Sequence, residues 1–153
     1  DHGSLTGLGD NDHPQYLLAA TGKAADSDKL DGLDSTAFGR PVFLTTPLTS
    51  TSWDGDTKTT TDRAIVDLSA VFGVPAGVKA VLMTVQTKGD TVNDYIRFGP
   101  NSTYNYALTC RTLVANVINI VSGVLPCDSN GDVYCYPSGT IEGVHVMIWG
   151  YWL

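Results

Sequence analysis

Apolar and polar residues are distributed differently in the two parts of this chain. From position 41 onward, short runs of alternating apolar and polar residues are separated by Gly, Pro, Asn and Asp, the pattern of half-buried strands joined by turns. Val42 to Leu44 and Leu48 to Trp53 read as short strands, and Asp54-Gly55-Asp56 as a turn. Thr57 to Thr61 is polar and reads as exposed, and Ala64 to Leu68 reads as a strand. Pro75-Ala76-Gly77 predicts a tight turn ahead of the strongest strand, Val78 to Thr87. Val92 to Phe98 alternates, with Val92, Ile96 and Phe98 on one side and Asn93, Tyr95 and Arg97 on the other. Tyr104 to Val117 predicts one or two strands, followed by Ile118 to Leu125, Val133 to Tyr136 and Ile141 to Trp152.

Two of these strands are apolar on both faces. In Val78 to Thr87, Val78, Ala80 and Leu82 oppose Val81, Met83 and Val85. In the last strand, Ile141, His145, Met147, Trp149 and Tyr151 oppose Val144, Val146, Ile148 and Trp152. A strand of that kind is central in a sandwich or lies against partner chains, because an exposed apolar edge invites aggregation. Eight or nine short strands without alternating long helices predict an all-β fold. The expected form is an antiparallel β-sandwich of jelly-roll kind.

The first 40 residues predict something else. Leu5, Leu8, Tyr16 and Leu17 are isolated anchors among Gly and Asp, which suits an extended, turning segment. Asp12-His13-Pro14 reads as a helix start, with one or two turns from Gln15 to Ala20. Leu30, Leu33 and Ala37, with Phe38 beside them, fall at spacings of three and four, and Asp34 or Ser35 can cap a short turn through Phe38. The Asp31-Gly32 interruption argues against one continuous helix. Such segments bury too little to offset the entropy of ordering them, so they must pack on something else. The expected organisation is a connector leader over 1–40 and a β domain over 41–153.

Charge narrows the partners. A net charge of −7 and a pI near 4.6, without any run of Lys and Arg to offset it, argue against nucleic acid and anionic membrane. The longest apolar run is too short to span a bilayer, and the start lacks a signal-peptide pattern. A first residue Asp1, rather than methionine, reads as a fragment or processed piece. Cys110, Cys127 and Cys135 cannot all pair within one chain. Cys127 and Cys135 flank a turn and could be bridged, or all three could be buried free thiols.

Catalytic signatures are absent: there is no G-x-S-x-G and no P-loop. His145 reads as a packed histidine rather than a base. Asp54, Asp56, Asp62 and Asp67 could supply a carboxylate pair, but nothing selects two of them. In the leader, His2, Asp10, Asp12 and His13 could ligate a metal ion, or Asp12 could cap a turn while His13 bonds a neighbouring chain. No other cofactor is implied. Asp128, Asn130 and Asp132 read as a solvated hairpin turn. Tyr95, Tyr104, Tyr106, Tyr134 and Tyr136 lie near predicted loops and strand ends, where rings can stack on sugars or fill an interface.

The leader also carries a resemblance. HGSLTGLGDNDHPQYL, His2 to Leu17, resembles a motif recurrent in tail fibres and related receptor-binding proteins of tailed bacteriophages and prophages. ADSDKLDGLDSTAFGR, Ala25 to Arg40, looks like a second module of the same proteins. The matching positions are Leu5, Leu8, His13, Gln15, Tyr16 and Leu17 in the first, and Lys29, Leu30, Asp31, Gly32, Asp34, Ser35 and Phe38 in the second. Asp67 to Val81 and the Gly150-Tyr151-Trp152 ending look like small β-sandwich heads in such fibres. The resemblance implies a homotrimer on the virion, in a tail fibre or other surface appendage. Its leader, including Leu30, Leu33 and Phe38, would be shared between chains, with other virion proteins N-terminal to it. It further implies a head that binds a bacterial surface glycan or protein without catalysis. A structural fibre or head-decoration protein, or a polysaccharide depolymerase, are the alternatives.

Overall fold

A computed structural model describes residues 29–30, 33–34, 39–50, 52–53 and 58–153. The chain divides into two compact units, Asp1–Phe38 and Gly39–Leu153.

In the first unit, β1 (Lys29–Leu30) pairs antiparallel with β2 (Leu33–Asp34), Lys29 opposite Asp34 and Leu30 opposite Leu33. The three-residue spacing of Leu30 and Leu33 therefore marks a cross-strand pair, not a helical face, and Asp34 is a strand residue. Asp-Gly between two such positions is the dipeptide that two-residue hairpin loops favour. The turn expected through Phe38 and the entire first module, with Leu5, Leu8, His13, Gln15, Tyr16 and Leu17, lie outside the described residues.

Among its described residues, the second unit holds eight strands. These are β3 (Pro41–Leu48), β4 (Ala64–Val66), β5 (Ala80–Lys88), β6 (Tyr95–Gly99), β7 (Leu108–Arg111), β8 (Asn119–Pro126), β9 (Val133–Pro137) and β10 (Gly143–Trp152). They form two antiparallel four-stranded sheets, in the orders β3-β10-β5-β8 and β4-β9-β6-β7. The pairing is nested: the first strand meets the eighth, the second the seventh, the third the sixth and the fourth the fifth. The inner faces share one core, in which Val81, Met83, Val85, Val146 and Ile148 come from the first sheet and Ile96, Phe98, Val133 and Cys135 from the second. The all-β expectation holds, and the two-faced strands β5 and β10 are both central in their sheet.

Several boundaries differ from expectation for local reasons. Leu48 to Trp53 is not a second strand. Leu48 ends β3, and the Ser50 hydroxyl accepts the N–H groups of Ser52 and Trp53, each at 3.1 Å, turning the chain. That turn seats Trp53 against Phe98 and Phe72, with ring centroids 5.9 and 6.1 Å apart. Leu68 leaves the predicted strand and opens α1 (Leu68–Phe72), because the Asp67 carboxylate caps the Ala70 N–H at 2.9 Å and Gly73 closes the helix at φ 73°. Val92 is exposed, ahead of β6, where Asn93 takes φ 74° and breaks the alternation. Only Leu108–Arg111 of the stretch from Tyr104 to Val117 is strand.

In β10 a bulge between Ile148 and Gly150 reverses the phase of the strand. Up to Ile148 the even positions point inward. Beyond the bulge Tyr151 pairs with the inward Val81 and packs on the core, while Trp152 turns outward beside Ala80. The sequence pattern had grouped Tyr151 with Met147 and Trp152 with Ile148. One extra residue in the strand exchanges them.

The exchange completes an apolar outer face on the first sheet. One cross-strand row reads Phe43, Gly150, Leu82, Val124; neighbouring rows contribute Trp152, Met147 and Ile120. The Phe43 and Trp152 rings meet edge to face at 6.0 Å. Phe43 is 67% exposed, Ile120 61% and Val124 55%. His145, expected to be packed among apolar residues, stands half-buried on this outer side opposite Gln86 and lines a groove of about 250 Å³ with Lys88 and Ile118.

Candidate functional site

The outer face of the second sheet has a different chemistry. Inward positions on β6 and β9 are Ile96, Phe98, Val133 and Cys135, so alternation turns Tyr95, Arg97, Tyr134 and Tyr136 outward. On β7 the outward residues are Thr109 and Arg111, and on β4 Ile65. Register then sets Tyr136 beside Arg97, Tyr95 beside Arg111, and Tyr134 between Ile65 and Gly99. Just before β4, Arg63 reaches the same face. Its Nε donates to the Pro137 carbonyl at 3.1 Å, and its guanidinium lies 3.9 Å from the centre of the Tyr136 ring.

Three of the chain's four arginines thus stand on tyrosine rings in one small area. The Arg97 guanidinium is 4.0 Å from the Tyr95 ring centre and that of Arg111 is 5.7 Å from it. Each such contact contributes about 0.5–1 kcal/mol at a partly exposed site. A guanidinium held over a ring still has terminal N–H groups to offer a planar anion. The Nε of Arg97 is buried without a hydrogen-bond partner. At the end of the face, the Ser138 hydroxyl accepts the Tyr95 N–H at 2.8 Å and donates towards the Asp94 carboxylate at 3.5 Å, anchoring that strand end.

The loop over 100–107 brings the other two tyrosines to this face. Gly99 occupies an outward position, yet it is buried, because the loop folds back over it. A Cβ on Gly99 would collide with the Tyr104 carbonyl and approach Asn105 Cα to 2.7 Å. Glycine is therefore required here by close approach of backbone, not by its own φ. The loop is braced internally. Asn101 Oδ1 accepts the N–H groups of Thr103 and Tyr104 at 3.0 and 2.9 Å, and Asn105 Nδ2 donates to the Ser102 carbonyl at 2.7 Å. Tyr104 and Tyr106 stay about 60% exposed, with ring centroids 6.5 Å apart.

All five tyrosines singled out from the sequence therefore lie on one outer face or on the loop that covers its edge. The three arginines are what sequence reasoning missed: the chain has no run of Lys and Arg, yet the fold gathers a basic cluster at this face. Arg63, Arg97 and Arg111 are far apart in the chain and meet only through strand order. The available signal was the outward phase that Arg97 shares with Tyr95, two residues apart.

The other residues weighed for chemistry have structural duties or lie elsewhere. Asp62 closes a capping box, its carboxylate accepting the Thr59 N–H at 2.7 Å. That bond to the Thr59 backbone lowers its pKa. Bonding from Ala70 and then Ser69 likewise holds Asp67 below the usual carboxylate range. Asp54 and Asp56 lie outside the described residues. Asp128 Oδ1 accepts the N–H groups of Asn130 and Asp132 in a turn, and Asp132 accepts the Leu68 N–H. All three cysteines are free, so no bridge joins Cys127 and Cys135, and burial pushes both thiols up to about 12. Among the described residues, no group of three His, Cys, Asp or Glu side chains could hold a metal ion. His2, Asp10, Asp12 and His13 lie outside them. Among the described residues, no helix is long and apolar enough to cross a membrane.

Compared with known proteins, the chain matches no protein-family model and no curated protein.

Proposed function

We propose that this chain is the receptor-binding head, with its leader, of a bacteriophage tail-fibre-type protein, trimeric, carried on the virion, and binding a bacterial surface glycan or protein without catalysis. The observation that carries the reading is the tyrosine-rich outer face of β4-β9-β6-β7, with three arginines close to its rings and an internally braced loop presenting Tyr104 and Tyr106. Rings held rigidly at partial exposure suit sugar stacking and cost little entropy on binding. The two leader modules supply the link to tail fibres.

The head in this proposal is a jelly roll. The nested pairing of first with eighth through fourth with fifth strand, in two four-stranded sheets, is the order expected when a long hairpin of eight strands rolls up. Its apolar outer face, on β3-β10-β5-β8, packs against second copies of the same chain. What favours that occupant is the coincidence of an exposed apolar sheet with a leader whose anchors are too sparse to fold alone. β3, the first strand after the leader, borders that face. Three weak sites on one trimer then gain avidity on a repetitive surface. A non-catalytic head is also what the duties of Asp62 and Asp67 as caps favour.

Two measurements test this. Sedimentation at micromolar concentration is expected to give a trimer, and a stable monomer would overturn that part. Fluorescently labelled chain is expected to decorate intact cells of the host and to compete with particle adsorption. Unlabelled cells, with a particle that still needs the protein for adsorption, would leave a structural role instead.

A further inference from the structure

Resting on the receptor-binding reading, the geometry points to an anionic glycan as the ligand of the β4-β9-β6-β7 face, a sugar chain carrying carboxylate or phosphate groups. Three observations converge on it. First, the protein is acidic, at −7 overall, yet Arg63, Arg97 and Arg111 are gathered on this face. An isolated cationic patch on a negative molecule focuses anions there and repels them elsewhere.

Second, the partners of these guanidinium groups are tyrosine rings, at 3.9 Å for Arg63 on Tyr136 and 4.0 Å for Arg97 on Tyr95, with Arg111 at 5.7 Å from Tyr95. The ring contact steadies each guanidinium, and with the Nε of Arg63 spent on the Pro137 carbonyl and that of Arg97 buried, the terminal N–H groups are the ones that favour paired hydrogen bonds to carboxylate or phosphate oxygens. Arg97 is the central member, flanked across the sheet by Tyr136 and Thr109, and the burial of its Nε without an acceptor leaves only the outward end of the guanidinium to bind.

Third, a stacking platform lies at the other end of the same face, within reach of a short sugar chain. The loop rests over Gly99, two residues and so about 7 Å along β6 from Arg97. Tyr104 and Tyr106 project from it at about 60% exposure. Sugar rings stack on Tyr104 and Tyr106 while acidic groups farther along the same sugar chain meet Arg97 and Arg111. Neutral glycans would use only the first half of this surface.

Calorimetry separates the possibilities, using the full chain with three probes: an oligogalacturonate hexamer, the same hexamer with its carboxyl groups reduced, and a glycerol-phosphate hexamer. At least one anionic probe is expected to bind ten times more tightly than the reduced, neutral hexamer. The stronger of the two tells carboxylate from phosphate. R97Q and R111Q are each expected to weaken that binding at least tenfold with the circular dichroism spectrum unchanged. R97K, which keeps the charge and loses the stacked fork, is expected to recover only part. The inference is overturned if neither anionic probe outbinds the neutral one, if folded R97Q and R111Q both bind as the parent does, or if a single-stranded oligonucleotide outcompetes both anionic probes. Should labelled chain still decorate host cells when neither anionic probe outbinds the neutral one, the receptor-binding reading stands and only the ligand class falls. Absence of cell decoration removes the reading beneath it.

Discussion

The two sheets share one core but present opposite chemistry on their outer faces. Outside β3-β10-β5-β8 an apolar group of Phe43, Leu82, Val124, Trp152, Met147 and Ile120 lies beside the hydroxyl pair of Thr84 and Ser122 and the side chains of Gln86 and His145. Outside β4-β9-β6-β7 stand tyrosines and arginines in contact with each other. The first surface gains by leaving water for any complementary apolar surface, so it is suited to a permanent neighbour. The second keeps guanidinium and phenol groups at partial exposure, so it is suited to a polar ligand that comes and goes. One sandwich can therefore assemble through one side and recognise through the other without the two demands competing.

The comparison can be broken from its centre outward. Phe98→Ala removes the ring that joins Trp53 to the core beneath the tyrosine face, and a loss of about 3–5 kcal/mol in denaturant unfolding is expected. Both faces would suffer together. Gly99→Ala sets a methyl against the Tyr104 backbone. A loss of about 1–3 kcal/mol is expected, with proteolytic nicking appearing between residues 100 and 107 while the first sheet keeps its assembly behaviour. Val124→Asp charges the apolar face alone. It is expected to weaken self-association in sedimentation by about 1 kcal/mol or more per contact through burial of an ill-paired charge, leaving glycan binding per chain unchanged. R97Q should do the reverse.

The smallest effect concerns Asp132, beside α1 and outside both faces. Desolvation, above all, raises its pKa above 3.8, against the lowering effect of the Leu68 N–H, with Asp67 and Asp128 adding to the rise. A raised folded value means that the folded state holds the proton more tightly. The stability this contributes is full below the unfolded value near 3.8 and is lost as pH rises through the folded one. Asp132→Asn keeps an acceptor for Leu68 and discards the charge. A gain within about 0.5 kcal/mol is expected near pH 7, disappearing below pH 3.8 in thermal melts, with both faces unaltered.

How much of this was legible beforehand depends on the range over which each feature is decided. The presence of β5, β6, β8, β9 and β10 follows from local apolar patterning, and the turn at Pro75-Ala76-Gly77 from turn chemistry, with Gly77 at φ 76°. Local rules also went astray where side chains compete with the ladder. Ser50 captured two backbone donors and ended a strand; Asp67 captured another and began a helix. Leu30 and Leu33 satisfied a helical spacing and a hairpin equally well, and the Asp-Gly between them was the deciding sign.

By itself, the sequence determined that the domain after position 40 is built of strands, that two of them are apolar on both faces and so central or set against partner chains, and that Tyr95 and Arg97 share one side of a strand. Those are consequences of period-two patterning, which each strand expresses alone. Tertiary structure decided which outward residues became neighbours. Arg63, Arg97 and Arg111 form one surface because β4, β6 and β7 share a sheet with β9, and strand order is set by long-range pairing that no local pattern encodes. It also decided the faces of Tyr151 and Trp152, since a single bulge in β10 moves every later side chain to the opposite side.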